Sequence, residues 1–200
     1  MAILSFPNII PDTQDFGIKY NTQVSTTTLS GISQTIELPG ARWKGRLSFR
    51  DMTVSESAAL KSFLLKLRGS SGRFLYGDIT HADPFNNVVD SLTIESGSTA
   101  RLLRVTYAGG GSARLTEGDY VQVGTDDTRE LRYIVDETFV SGNTYDIQVE
   151  PMVRRIDYVG LSLVYNDPTG VFLLDSNEQA TWGTQSKALL SDINISFVEA

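Results

Sequence analysis

The chain has no cysteine and a single histidine in 200 residues. Without cysteine there can be no disulfide, no thiolate metal site and no thiol nucleophile. Zinc, which is held by clusters of His and Cys, has no ligand set. A Ser-His-Asp arrangement would have to use His81. That residue lies in a loop-like stretch near Asp78 and Asp83 and reads as a solvated loop histidine. No Gly-x-Ser-x-Gly elbow is present. Gly109-Gly110-Gly111 is not followed by the Gly-Lys-Ser/Thr of a phosphate loop and reads as a flexible connection.

Long apolar runs are missing too. No stretch approaches the roughly 20 apolar residues needed to span a bilayer. The segment Met1–Pro7 has neither a basic start nor an apolar core, so no signal peptide is expected. Basic clusters are scarce. The chain has 17 Lys and Arg against 24 Asp and Glu, a net charge of -7, and a pI near 4.7. Binding to phosphate backbones needs grouped cations. Here the cations are scattered, with only short pairs such as Arg154-Arg155, so neither specific nucleic-acid binding nor membrane binding is expected.

The many carboxylates select no chemistry. Asp126-Asp127 with Glu130, and Asp136-Glu137, could offer oxygen ligands, but neither has the spacing of an EF-hand loop. Both read as exposed turn carboxylates. No pair has a spacing that marks a glycosidase. The sequence therefore gives no catalytic residue, no cofactor-binding residue and no metal ligand, and the chain is not expected to be an enzyme. Trp43 and Trp182 could stack on a sugar or a partner, but they read first as core or interface residues.

What the sequence does have is ordinary globular composition, 40% hydrophobic and 20% charged, with 17 glycines set between short alternating segments. That pattern predicts a mainly β protein. Leu29, Ile32, Ile36 and Leu38 alternate loosely among Ser, Thr and Gln. Trp43, Gly45, Leu47 and Phe49 alternate with Lys44, Arg46 and Ser48, which puts them on one buried strand face. Gly45 on that face predicts a close approach of another group. One helix is predicted at about residues 54 to 68. Thr53 and Glu56 have the spacing of a capping box. Leu60, Phe63, Leu64 and Leu67 make one apolar stripe, and Gly69 is placed to end it. Arg73–Tyr76 reads as a strand and residues 77 to 90 as a loop.

Residues 89 to 158 read as an insertion of four or five strands, enough for a small OB-like β-barrel. The predicted strands include Tyr120–Val123, Leu131–Val135 and the run holding Tyr145, Ile147 and Val149, with a turn at Ser141-Gly142-Asn143. Residues 159 to 200 return to strands, at Leu161–Val164, Val171–Leu174 and Ile193–Phe197. The expected fold is thus a discontinuous, mainly β core from residues 1-88 and 159-200, flanked by one helix and interrupted by the barrel at 89-158.

Three blocks carry a family resemblance. The first runs from Pro39-Gly40-Ala41-Arg42-Trp43 through the helix Ala59–Gly69 to Gly72-Arg73-Phe74-Leu75-Tyr76-Gly77-Asp78. The second is Leu115-Thr116-Glu117-Gly118-Asp119-Tyr120 with Arg132-Tyr133-Ile134-Val135 and Val149-Glu150-Pro151-Met152-Val153-Arg154. The third is Pro168–Leu174 with Phe197–Ala200. In this order they resemble the distal tail proteins of long-tailed bacteriophages. The resemblance implies a β-sandwich core with a flanking helix, in a structural virion protein at the distal end of the tail, assembled in the host cytoplasm as a homo-hexameric ring. Such a ring joins the tail tube protein to the baseplate hub and to other tail-tip or tail-fibre proteins, and DNA passes through its lumen. The other readings left open are a different minor tail or tail-tube protein, and a carbohydrate-binding module.

Overall fold

A computed structural model describes residues 3–28, 31–109, 111–155, 157–179, 182–185 and 190–200. Leu29 and Gly110 of the sequence reading lie outside them. The described residues form one α-helix and fifteen strands. The first are β1 (Leu4–Ser5), β2 (Thr13–Lys19), β3 (Thr22–Thr26), β4 (Ser33–Glu37) and β5 (Arg42–Met52), followed by α1 (Val54–Leu67) and β6 (Phe74–Tyr76). Next come β7 (Leu92–Ile94), β8 (Leu102–Tyr107), β9 (Tyr120–Val123), β10 (Glu130–Ser141), β11 (Thr144–Glu150) and β12 (Ser162–Val164). The last are β13 (Gly170–Leu174), β14 (Gly183–Gln185) and β15 (Leu190–Glu199).

Seven strands make one sheet in the order β1-β6-β13-β15-β5-β2, with β14 also paired to β15. Only the β1–β6 pair is parallel. In a flat sheet β2 and β6 would lie about 19 Å apart, four strand spacings. Yet the rings of Phe16 on β2 and Tyr76 on β6 have centroids 6.1 Å apart, and Tyr76 Oη donates to Gln14 Oε1 at 2.6 Å. The sheet must therefore bend until its halves face each other, which gives a sandwich-like core of the kind that the family resemblance implies. Trp43, Leu47 and Phe49 of β5 and Ile193, Ile195 and Phe197 of β15 are all buried between the halves. Each large apolar side chain taken out of water contributes on the order of 1.5–3 kcal/mol. Gly45 shows the close approach that its position predicted. A Cβ there would sit 2.2 Å from Phe197 Cζ, so the ring occupies the space that a side chain would need.

Helix α1 covers this core. The amide of Glu56 donates to Thr53 Oγ1 at 3.3 Å and the amide of Thr53 donates to Glu56 Oε2 at 3.0 Å, so both halves of the capping box form. Leu60, Phe63, Leu64 and Leu67 are all buried, as the stripe predicted. The helix ends one residue earlier than expected. Arg68 takes the left-handed conformation with φ 53°, and Gly69 follows at φ 70°.

The inserted barrel is present, closed in the order β10-β11-β8-β7-β12-β9. It has six strands rather than four or five. The segment at Leu161–Val164 was expected to return to the sandwich. Its strand β12 instead pairs with both β7 and β9. Without it those two strands would have open edges, and closure removes them. The barrel strands thus run from Leu92 to Val164.

Strand β9 is buried at all four residues because it separates two cores. Val121 and Val123 belong to the barrel core, while Tyr120 belongs to the core under the sheet. Strand β10 divides likewise, with Ile134 in the barrel core and Leu131 in the sheet core. The barrel and the sheet therefore share a wall.

Candidate interaction surfaces

The shared wall is fastened by charge as well as by packing. Arg132 on β10 is fully buried and Glu199 on β15 is 1% exposed. Arg132 Nη1 donates to Glu199 Oε1 at 2.7 Å, and its Nη2 is paired with Glu130. Arg154 Nη2 reaches the same Glu199 oxygen at 3.0 Å, while Glu199 Oε2 accepts the Trp43 amide at 3.3 Å. Trp43 Nε1 donates to the Leu131 carbonyl at 2.7 Å, and its ring stacks on Phe16 at 4.8 Å. Trp43 is thus a core residue that ties sheet to barrel. Phe74 and Tyr76 are core residues too, whereas Arg73, immediately before Phe74, stays exposed. Sequence reasoning missed the Arg132–Glu199 pair. The available signal was a charged residue inside the apolar run Leu131–Ile134, because a charge so placed is seldom buried without a partner.

The loop after β6 is tied down at two carboxylates. Asp78 accepts from Gln14 Nε2 at 2.8 Å, from Thr80 Oγ1 at 2.7 Å and from Tyr120 Oη at 3.0 Å. Partial burial raises its pKa, but these donors outweigh burial and hold it below the ordinary value. Burial, with Asp78 beside it, pushes the Tyr120 phenol well above its usual range. His81 is not solvated as expected. Its Nε2 lies 3.2 Å from Oδ1 of the buried Asp119, and its ring packs on Phe85 at 4.1 Å. Asp119 also accepts the amides of Phe85 and Thr116, both at 2.8 Å. These three contacts pin the loop to the turn that carries Asp119.

The other sequence candidates disperse. Asp126–Thr128 form a single 3-10 turn. Glu130, two residues on, is buried and consumed by Arg132 and by the Arg154 amide at 2.9 Å. Asp136 is exposed, while Glu137 accepts from Tyr107 Oη at 3.4 Å. Burial raises the Glu137 pKa more than that bond lowers it. Among the described residues no three His, Asp or Glu side chains group as a metal site, and no helix is long and apolar enough to cross a membrane. Gly109 and Gly111 pack against the Asp90 carboxylate, where a Cβ would meet it at 1.8 and 3.1 Å. Their missing side chains allow this close approach. Trp182 is 39% exposed, with Lys61 Nζ 5.0 Å from its ring centre.

One element is unlike the rest. Among the described residues, strands β3 and β4 pair only with each other, and every residue in both is exposed. The register sets Ile36 opposite Gln23 and Val24 opposite Thr35. By strand alternation Ile32, Gln34 and Ile36 share one face, while Val24 lies on the other among Ser and Thr. Ile32 is 63%, Ile36 57% and Val24 62% exposed. The hairpin is moored at its base, where the Leu38 amide donates to the Asn21 carbonyl at 2.8 Å and Glu37 pairs with Arg101. A lone two-stranded hairpin is marginal in water, and both of its edges offer unpaired backbone groups. Beside it, β2 is the terminal strand of the sheet. A groove of about 940 Å³ is lined by residues of β2, β5 and β15, with Lys44, Arg46 and Asn194 among them.

Compared with known proteins, the chain matches no family model and no curated sequence.

Proposed function

We propose that the chain is a structural subunit of a phage tail tip, a ring-former rather than an enzyme, which joins the tail tube to the hub and receptor-binding parts. The observation that carries this reading is the free β3–β4 hairpin beside the open edge of β2. One fold hosts many functions, so the weight rests on the surface left incomplete rather than on the architecture. A hairpin exposed on both faces and both edges gains most from a second chain, and β-strand addition is a direct way to supply one. Hairpin and β2 edge are different surfaces of one subunit. Their contact is therefore heterologous, and it closes into a ring when the rotation fits. Six copies are the number that the family resemblance implies. The shared wall supports the same reading, because a barrel fixed to the sheet by Trp43, Arg132 and Glu199 would be held at a set angle outside such a ring.

The test is assembly of the purified chain and of an Ile36→Asp, Val24→Asp variant. Both sites are exposed, so the variant should keep its fold while losing its apolar contact. Mass photometry should find closed assemblies of the unaltered chain and only single subunits of the variant. Equal assembly by both would remove the hairpin from the interface.

The partly exposed Trp182 favours a second reading, a carbohydrate-binding module, because an indole at the surface can stack on a sugar. A glycan screen against the unaltered chain and Trp182→Ala separates the two. Tryptophan-dependent glycan binding by a chain that stays a single subunit would favour the module.

A further inference from the structure

A second concave site lies where β13 and the shared wall meet, and the ring proposal makes no use of it. Its volume is about 320 Å³, and its lining includes Arg73, Arg129, Arg154 and Arg155. Four arginines thus line one cavity in a chain whose net charge is -7.

They are not equally satisfied. Arg154 is held by Glu199 at 3.0 Å and by the Ala200 carbonyl at 2.8 Å. Arg155 is held by Asp157 at 3.0 Å and also donates to Thr128 Oγ1. Arg129 makes one side-chain hydrogen bond, from Nη1 to Thr169 Oγ1 at 3.1 Å, and its buried Nε has no acceptor. Arg73 makes no side-chain hydrogen bond or ion pair among the described residues. Two carboxylates also line the site. Glu130 is already bound to Arg132. Asp127 is exposed and makes no bond to any of the four arginines. Arg73 therefore borders the cavity with unused N–H donors, and neither it nor Arg129 has a carboxylate partner.

A guanidinium presents a rigid fork of donors that matches the paired oxygens of a carboxylate or a phosphate. We propose that this pocket is an oxyanion site, in which Arg73 and Arg129 bind a carboxylate or phosphate group of a ligand. Arg154 and Arg155, tied to their own acids, shape the site and contribute less to affinity. The proposal does not depend on ring formation, and single subunits should show it.

The test is calorimetric titration at low ionic strength with inorganic phosphate and, separately, with glutarate. The unaltered chain should bind one equivalent saturably. Arg73→Ala and Arg129→Ala should each weaken binding at least tenfold. Arg50→Ala, an exposed arginine outside the pocket, should leave it unchanged. Arg73 is exposed, so its variant tests the site without threatening the fold. Tighter binding of phosphate would point to a phosphate-bearing ligand. Tighter binding of glutarate would point to an acidic side chain of a partner protein. Failure of both anions to bind, or equal binding by the unaltered chain and Arg73→Ala, would overturn the proposal.

Discussion

Arg132 in the barrel and Glu199 in the last strand of the sheet meet at 2.7 Å, both out of water. Burying two charges is costly, and their attraction offsets that cost only while both are present. Glu199→Ala should therefore leave Arg132 short of one acid and also remove the acceptor for the Trp43 amide. The expected loss of stability is about 3–5 kcal/mol, read by urea unfolding. Arg132→Met combined with Glu199→Leu should lose less than the sum of the single changes. A loss below about 1 kcal/mol in the single variant, within the range of an exposed pair, would show that the wall is held by packing alone.

Gly45 and Gly17 make a matched test on adjacent paired strands. At Gly45 an added Cβ collides with the Phe197 ring, whereas at Gly17 it meets nothing within 4 Å. Gly45→Ala should cost about 1–3 kcal/mol through overpacking. Gly17→Ala should stay within about 0.5 kcal/mol. Thermal melts of both variants give the comparison.

Arg68 holds a left-handed conformation that an L side chain disfavours. Arg68→Gly should therefore stabilise the chain by roughly 1 kcal/mol. Thr53→Ala, which removes the cap oxygen at the other end of α1, should destabilise it by about 1 kcal/mol. Denaturant midpoints check both signs.

Asp78 sets an acid limb. Its folded pKa lies below its ordinary value because Thr80, Gln14 and Tyr120 donate to it. The unfolded chain therefore takes up the proton first as pH falls. The contribution of Asp78 to stability is full above the ordinary value of 3.8 and fades as pH drops through the lower folded value. Melting temperatures measured down this range should fall less steeply for Asp78→Asn than for the unaltered chain. Parallel curves would contradict the assignment.

Features that depend on neighbours along the chain were legible in the sequence. The Thr53 cap, the stripe Leu60–Leu67 and the buried face of β5 each rest on a period of 3.6 or of 2, and each appears in the fold. Features that depend on distant pairing were not. Glu199 lies 67 residues from Arg132, and nothing near either position names the other. Leu161–Val164 has the same alternation whether it lines a sandwich or closes a barrel, so the choice depends on which edges remain open. Ile32 and Ile36 repeat like buried strand residues, but period alone does not say whether anything covers them. His81 shows the same limit, because the buried carboxylate that engages it belongs to a turn 38 positions later.

The proposed ring requires each chain to complete its exposed hairpin on a neighbouring copy. The most direct measurement is the mass and shape of the purified chain at high concentration, by mass photometry with negative-stain imaging. Closed rings with a central pore, near six times the 22.0 kDa subunit mass, are expected. A species that stays at the single-subunit mass across all concentrations, with no pore in any image, would contradict it.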